Sequence, residues 1–241
     1  MTAHEDRRSG GGRVSAVETA FQGLRAMMAT GRLQAGQRFP TEAALCTELG
    51  VSRSSLREAV RMLAALGVVE VRQGSGTYVS PLKAADIVRS LSLTVGLLPL
   101  DGLLEVYELR RVLEGHAAAQ AAARRPDSLV GELAELLTEL EACDDPDRIG
   151  LLDARFHAQV AAAAGNPTLA ALLEVFRSRS RSYQIFRSAS SAEIKRVSDA
   201  GHRAIAAAVG ARDPGAAETA AAAHVAETER WLRRLQPPPA G

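Results

Sequence analysis

The chain has 241 residues, with 29 Lys and Arg against 28 Asp and Glu and a formal net charge of +1 at pH 7. Its 46% hydrophobic and 24% charged content belongs to a folded globular chain, and 4% aromatic residues leave too few rings for a stacking platform along single-stranded nucleic acid. Two distant cysteines, Cys46 and Cys143, argue against a disulfide scaffold or a four-cysteine zinc site. The longest apolar run, Leu91–Leu100, is too short to cross a bilayer, and no apolar signal core opens the chain, so the expected location is the cytoplasm with no membrane partner.

Charge is uneven, net +3 over residues 1–80 and −2 over the remainder. Residues 1–12, polar and ending in glycines, read as a disordered tail. Val17, Ala20, Phe21, Leu24 and Met28 then recur at helical steps, and Thr30-Gly31 stops that helix. After a loop at 33–40, Thr41 caps a short second helix that ends at Gly50. A third helix begins at Ser52, turns Leu56, Val60 and Leu63 inward, and closes at Gly67. Val68–Arg72 and Thr77–Ser80, joined by Gln73-Gly74-Ser75-Gly76, read as a β-hairpin. Beyond Pro81 the pattern is helical throughout, with expected helices at 84–97, 100–124, 127–142, 147–164, 167–188, 192–210 and 214–235, broken mostly at prolines. The fold class is therefore mainly α. The expected domains are a helix-helix-helix-hairpin unit at 13–80 and an all-helical bundle at 81–235, followed by a frayed tail at 236–241.

Arg53, Arg57 and Arg61 stand four apart on one stripe of the third helix, opposite its apolar stripe. With a short helix before it, this is the sequence form of a helix-turn-helix whose second helix enters the DNA major groove, where arginine grips guanine with two hydrogen bonds. A surface helix with solvated arginines paired to Glu58 or other acids explains the same stripe; the adjoining hairpin, placed like the wing of a winged helix, favours DNA. Phe39-Pro40-Thr41-Glu42, Leu49-Gly50-Val51-Ser52-Arg53, Leu56-Arg57-Glu58-Ala59, Leu66-Gly67 and Gly74-Ser75-Gly76-Thr77-Tyr78-Val79 together resemble the GntR family of bacterial transcriptional regulators. The resemblance implies DNA contacts from Ser52, Arg53, Ser54, Arg57, Gln73 and Gly74. Ala43 departs from it, because the family often places a DNA-contacting arginine there.

In the second half, Asp153 and His157 lie four apart on one helix face, His202 shares a stripe with Ile205 and Val209, and His224 shares one with Trp231. Three imidazoles and one carboxylate suit Zn²⁺, Ni²⁺ or a similar ion, although a lone buried histidine is usually a satisfied core residue. Asp153-x-x-Phe156-His157, Asn166-Pro167, His202-x-x-Ile205, Asp213-Pro214 and His224 resemble the effector domain of the FadR subfamily. That resemblance implies Asp153, His157, His202 and His224 as metal ligands and Arg110 and Asn166 as effector contacts. Arg110 also stands four residues from Glu114, its local ion-pair partner, and Asn166 before Pro167 is also a good helix cap. His116 matches no ligand and reads as structural.

The expected function is a homodimeric, ligand-responsive repressor of double-stranded operator DNA, holding a divalent metal and a small organic acid. The alternatives are a constitutive dimeric DNA-binding protein without metal or effector, and a metal-dependent hydrolase. No His-Glu-x-x-His or nucleophile elbow supports the hydrolase.

Overall fold

A computed structural model describes residues 15–238 apart from 182 and 184, with the backbone alone of Arg181. The tail expected at 1–12 and residues 239–241 of the C-terminal tail lie outside the described residues. The chain divides into two compact units after Lys83.

The first unit contains α1 (Ala16–Ala29), α2 (Glu42–Leu49), α3 (Arg53–Ala65), β1 (Val69–Arg72) and β2 (Gly76–Val79). Each helix start carries a hydroxyl cap: Ser15, Thr41 and Ser52 accept from the backbone N–H groups of Glu18, Ala44 and Ser55. Gly50 ends α2 at φ 64°, a left-handed conformation that a β-carbon would strain. Leu24, Leu45, Leu56, Leu63, Val69 and Val79 share one core. Ala59, rather than Val60, is the third fully buried residue of α3, and Val60 is half-buried. The antiparallel strands pair Val69 with Val79 and Arg72 with Gly76, leaving Gln73-Gly74-Ser75 as the turn. Gly74 takes φ 73° at its tip.

The second unit is all-helical: α4 (Ala84–Arg89), α5 (Ser92–Val95), α6 (Leu100–Arg124), α7 (Leu129–Glu141), α8 (Pro146–Ala163), α9 (Pro167–Arg181), α10 (Ser191–Gly210) and α11 (Pro214–Leu235). Helices α6 and α11 pack closely because their shared face is built of small residues. Ala118, Ala121 and Ala122 meet Ala217 and Ala221 in the core, and a β-carbon at Gly115 would lie 3.2 Å from the Glu218 carbonyl oxygen.

Two expected helices are shorter than their periodicity suggested. The helix read at 84–97 is split into α4 and α5 at Ser90, whose hydroxyl donates to the Ile87 carbonyl at 2.7 Å. Such a bond lets the side chain compete with the helical ladder. The helix read at 167–188 ends at Arg181, and a single 3-10 turn follows at Ile185–Arg187.

Candidate functional site

The first unit presents the start of α3. Ser52 is its N-cap, with its hydroxyl 2.8 Å from that of Ser54 and 2.9 Å from that of Ser55. Arg53, Ser54 and Arg57 are exposed beside it. Arg57 is held from α2: its Nε donates to Glu42 at 3.0 Å and its Nη2 at 3.0 Å, a two-point grip across the helix pair. Arg61 instead pairs locally with Glu58 at 3.1 Å. Gln73 and Gly74 are exposed at the hairpin tip, and Ala43 is exposed near the start of α2.

In the second unit three helices bring four side chains together. Asp153 and His157 project from α8, His202 from α10 and His224 from α11, and one donor atom from each lies within 4.8 Å of the others. His157, His202 and His224 are 7%, 1% and 6% exposed, so little water reaches their nitrogens. The Nε2 atoms of His157 and His224 are 3.2 Å apart, and those of His202 and His157 are 3.3 Å apart. His202 Nε2 is 3.2 Å and His157 Nε2 3.7 Å from Asp153 Oδ1. Donors about 2.0–2.1 Å from one ion stand roughly 2.9–3.4 Å apart at the edges of a tetrahedron or octahedron, so three of these separations fit a shared ion.

The surroundings favour ligand chemistry. Glu114 on α6 lies 3.1 Å from His157 Nδ1, which places the proton on that nitrogen and aims a lone pair from Nε2 into the cluster. Burial, and then the nearby Arg177 guanidinium, push His157 down to about 4. Burial and the other two imidazoles hold His224 well below the usual histidine range. For Asp153, burial acts upward, but Arg177 and the His202 hydrogen bond outweigh it and keep the carboxyl well below its usual value. Near neutral pH His157 and His224 therefore offer neutral imidazoles beside an anionic Asp153 carboxylate. His202 Nδ1 is buried without a hydrogen-bond partner among the described residues. Behind the cluster, the His224 ring lies against the bare backbone of α10 at Gly201, where a β-carbon would stand 2.4 Å from Nδ1.

Beside this cluster is a cavity of about 350 Å³ whose lining includes Asp153, His224, Arg110, Arg177 and Ser180. Arg110 is 3% exposed. It donates from Nε to Glu114 and from Nη1 to Ser180, both at 2.8 Å, and its guanidinium carbon sits 4.4 Å from the Tyr107 ring centroid. Burial acts against its charge, but Glu114 more than compensates and keeps it protonated. Arg110 thus lines the cavity and pairs with Glu114 at once.

Asn166 is placed elsewhere. Its exposed side chain caps α9, accepting from the N–H groups of Thr168 and Leu169 at 3.1 Å each, and it lines a second cavity of about 650 Å³ rather than that of Arg110. His116 is exposed on α6 outside the cluster, and His4 lies outside the described residues. Two residues of the site escaped the sequence reading. Glu114 read only as a local partner of Arg110, although it also binds His157 and Arg177. Arg177 donates to both Asp153 and Glu114 and leaves its own Nε buried and unpartnered among the described residues. Its signal was present in α9, where Arg177 continues at four-residue steps the stripe of the buried Leu169 and Leu173 and is itself half-buried.

Comparison with known proteins agrees with both halves. Residues 16–79 match the bacterial regulatory proteins of the gntR family, and residues 105–227 match the FCD domain. The HTH-type transcriptional regulator LutR of Bacillus subtilis (strain 168) is 29% identical over 215 residues, covering 86% of this chain and 96% of LutR. The putative L-lactate dehydrogenase operon regulatory protein of Escherichia coli (strain K12) is 34% identical over 150 residues, covering 61% of this chain and 57% of that protein. The solved structure of Streptococcus agalactiae GntR is 32% identical, with a TM-score of 0.58 over 89% of this chain and 99% of that one. A gntR-type N-terminal unit joined to an FCD domain sets this chain among regulators rather than enzymes: it belongs to the GntR family of bacterial transcriptional regulators, in the FadR-like subfamily.

Proposed function

We propose that this regulator is a ligand-responsive repressor that works in the cytoplasm as a homodimer on a roughly palindromic operator. DNA contacts come from Ser52, Arg53, Ser54 and Arg57 at the start of α3 and from Gln73 and Gly74 at the hairpin tip. Arg53 and Arg57 read base edges while the serine hydroxyls and the helix-start N–H groups hold phosphates. Ala43 withholds one contact, which alters operator preference.

Asp153, His157, His202 and His224 would hold a divalent ion, Zn²⁺ or Ni²⁺. The observation that carries this reading is their buried convergence beside a cavity that also contains Arg110. The ion would supply positive charge to anchor a carboxylate. Arg110 orients that carboxylate with its planar fork. The effector is an organic acid. One relative bears the name of a putative regulator of an L-lactate dehydrogenase operon, which is in keeping with an organic acid as the class of effector. Asn166 would touch such a ligand only from the second cavity, and capping α9 is the role its contacts support. Effector binding shifts the balance of two domain arrangements and so changes DNA affinity by about 1–3 kcal/mol.

Metal per chain, measured by mass spectrometry on untagged protein and on a His202→Ala/His224→Ala control, tests the reading. About one transition metal per chain, lost from a still-folded control, is the expected result. No metal in either sample after dialysis against Zn²⁺ or Ni²⁺ would leave the DNA-binding unit standing and remove the metal-anchored effector.

A further inference from the structure

The cavity also carries information about the size and shape of the acid. We infer that the effector is a monocarboxylic acid of about eight to ten carbon atoms in all, with an apolar straight-chain or phenyl-bearing body. This rests on the reading that a carboxylate binds beside the histidine cluster and Arg110.

Volume is the first argument. At about 30 Å³ for each water-sized unit of liquid, the 350 Å³ cavity holds roughly twelve non-hydrogen atoms. A three-carbon hydroxy acid fills about half of that space, leaving the rest to water against an apolar wall.

The wall itself is the second argument. Beside the cluster the polar groups form one connected patch, in which Arg110 bonds Ser180 and Glu114, and Glu114 bonds Arg177, which bonds Asp153; Asp147, Arg187, Ser198, Glu227 and Thr228 lie apart from it on the lining. Leu151, Ile185, Phe186, Ile194, Val197 and Trp231 supply the apolar lining.

Charge is the third. Within the polar patch Arg110 and Arg177 are balanced by Glu114 and Asp153, so a bound divalent cation supplies the surplus that attracts one carboxylate. Elsewhere in the lining no spare cation awaits a second one among the described residues. Arg187 is paired with Asp147 at 2.6 Å, and the remaining charged group, Glu227, is an anion bonded to Arg230. A dicarboxylate would set its far end beside Glu227 or against hydrocarbon, at a desolvation cost.

The test is a binding series on the Zn²⁺-loaded full-length protein, read by calorimetry and by the fluorescence of Trp231, the only tryptophan in the chain. The probes are acetate, L-lactate, butanoate, hexanoate, octanoate, 3-phenylpropanoate and octanedioate. Affinity is expected to rise about three- to fourfold per methylene from butanoate to octanoate, as complete burial of each group predicts. 3-Phenylpropanoate should match octanoate within about threefold and octanedioate should bind at least about tenfold more weakly. Val197→Phe, which fills part of the apolar wall, should reduce octanoate to within about threefold of butanoate. Metal content of the same sample reports whether the cluster is intact, and the wild-type series decides the matter if that variant does not fold. A flat series, or L-lactate binding more tightly than octanoate, overturns the inference while leaving the carboxylate reading in place. No heat and no fluorescence change with any acid overturns both.

Discussion

Gly201→Ala tests the histidine cluster without touching a ligand. The added methyl would lie 2.4 Å from His224 Nδ1, 3.1 Å from its Cγ and 3.2 Å from its Cβ. Carbon and nitrogen at ordinary contact are about 3.5 Å apart, so the ring must retreat by roughly 1 Å. A metal bond tolerates about 0.2 Å, so His224 would leave the donor set. The fold should survive. Overpacking costs about 1–3 kcal/mol, and alanine in place of glycine inside a helix returns about 0.8–1.0 kcal/mol, for a net loss of about 0–2 kcal/mol. Metal affinity should fall far more, by at least about 10–100-fold, the range seen when even a supporting group outside the ligand set is removed. Gly131→Ala in α7 is the matched control, because a β-carbon there meets nothing within 4 Å. It should raise stability by about 0.5–1 kcal/mol and leave the metal untouched. Competition against a chromogenic chelator gives the affinity, and thermal unfolding of the metal-free proteins gives the stability. A Gly201→Ala protein that retains one metal with wild-type affinity would refute the placement of His224 in the set.

Arg53→Ala should weaken specific operator binding by about 5- to 150-fold for a lost two-point base contact, and unchanged discrimination between operator and random DNA would exclude that role. Glu42→Ala releases Arg57 and removes an anion from the DNA-facing surface; binding to random DNA should tighten, with a steeper salt dependence, whereas an identical salt slope would show that Arg57 takes no part. Arg110→Lys keeps the charge but loses the fork, and should weaken effector binding at least about tenfold with metal content intact; an unaltered effector titration counts against the pocket. The metal-free protein should lose stability in mild acid. His157 sits at about 4 when folded against about 6.5 when unfolded, so between those values the unfolded chain binds a proton that the folded one refuses. Its contribution is complete above about pH 6.5 and falls by about 1.4 kcal/mol per pH unit towards pH 4, with His224 acting in the same direction; urea melts of equal midpoint at pH 7 and pH 4.5 would contradict this.

What the sequence could convey depended on whether a feature lies along one helix or across several. Caps, glycine stops and the Asp153–His157 pair are local, and each reads directly from spacing: Thr41 and Gly50 bound α2, and residues four apart share a face. The break between α4 and α5 did not read, because apolar periodicity continues through Ser90 while its hydroxyl bonds the backbone. His202 and His224 are 22 residues apart on different helices, so periodicity marks each as inward-facing but leaves their convergence to tertiary packing. Gly201 carries no signal in the spacing, yet its missing β-carbon is the space that the His224 ring uses. Glu114 shows most clearly what spacing leaves out. Four residues from Arg110 it reads as a local ion pair, but folding makes it a junction: Oε1 accepts from Arg110 at 2.8 Å, while Oε2 accepts from Arg177 at 2.9 Å and lies 3.1 Å from His157. An incoming carboxylate that draws on the Arg110 donors must compete with Glu114, and the other oxygen of that same group sets the orientation of His157. The two proposed ligands, acid and metal, therefore share one buried side chain in addition to their proposed direct contact, a second route by which either alters the binding of the other.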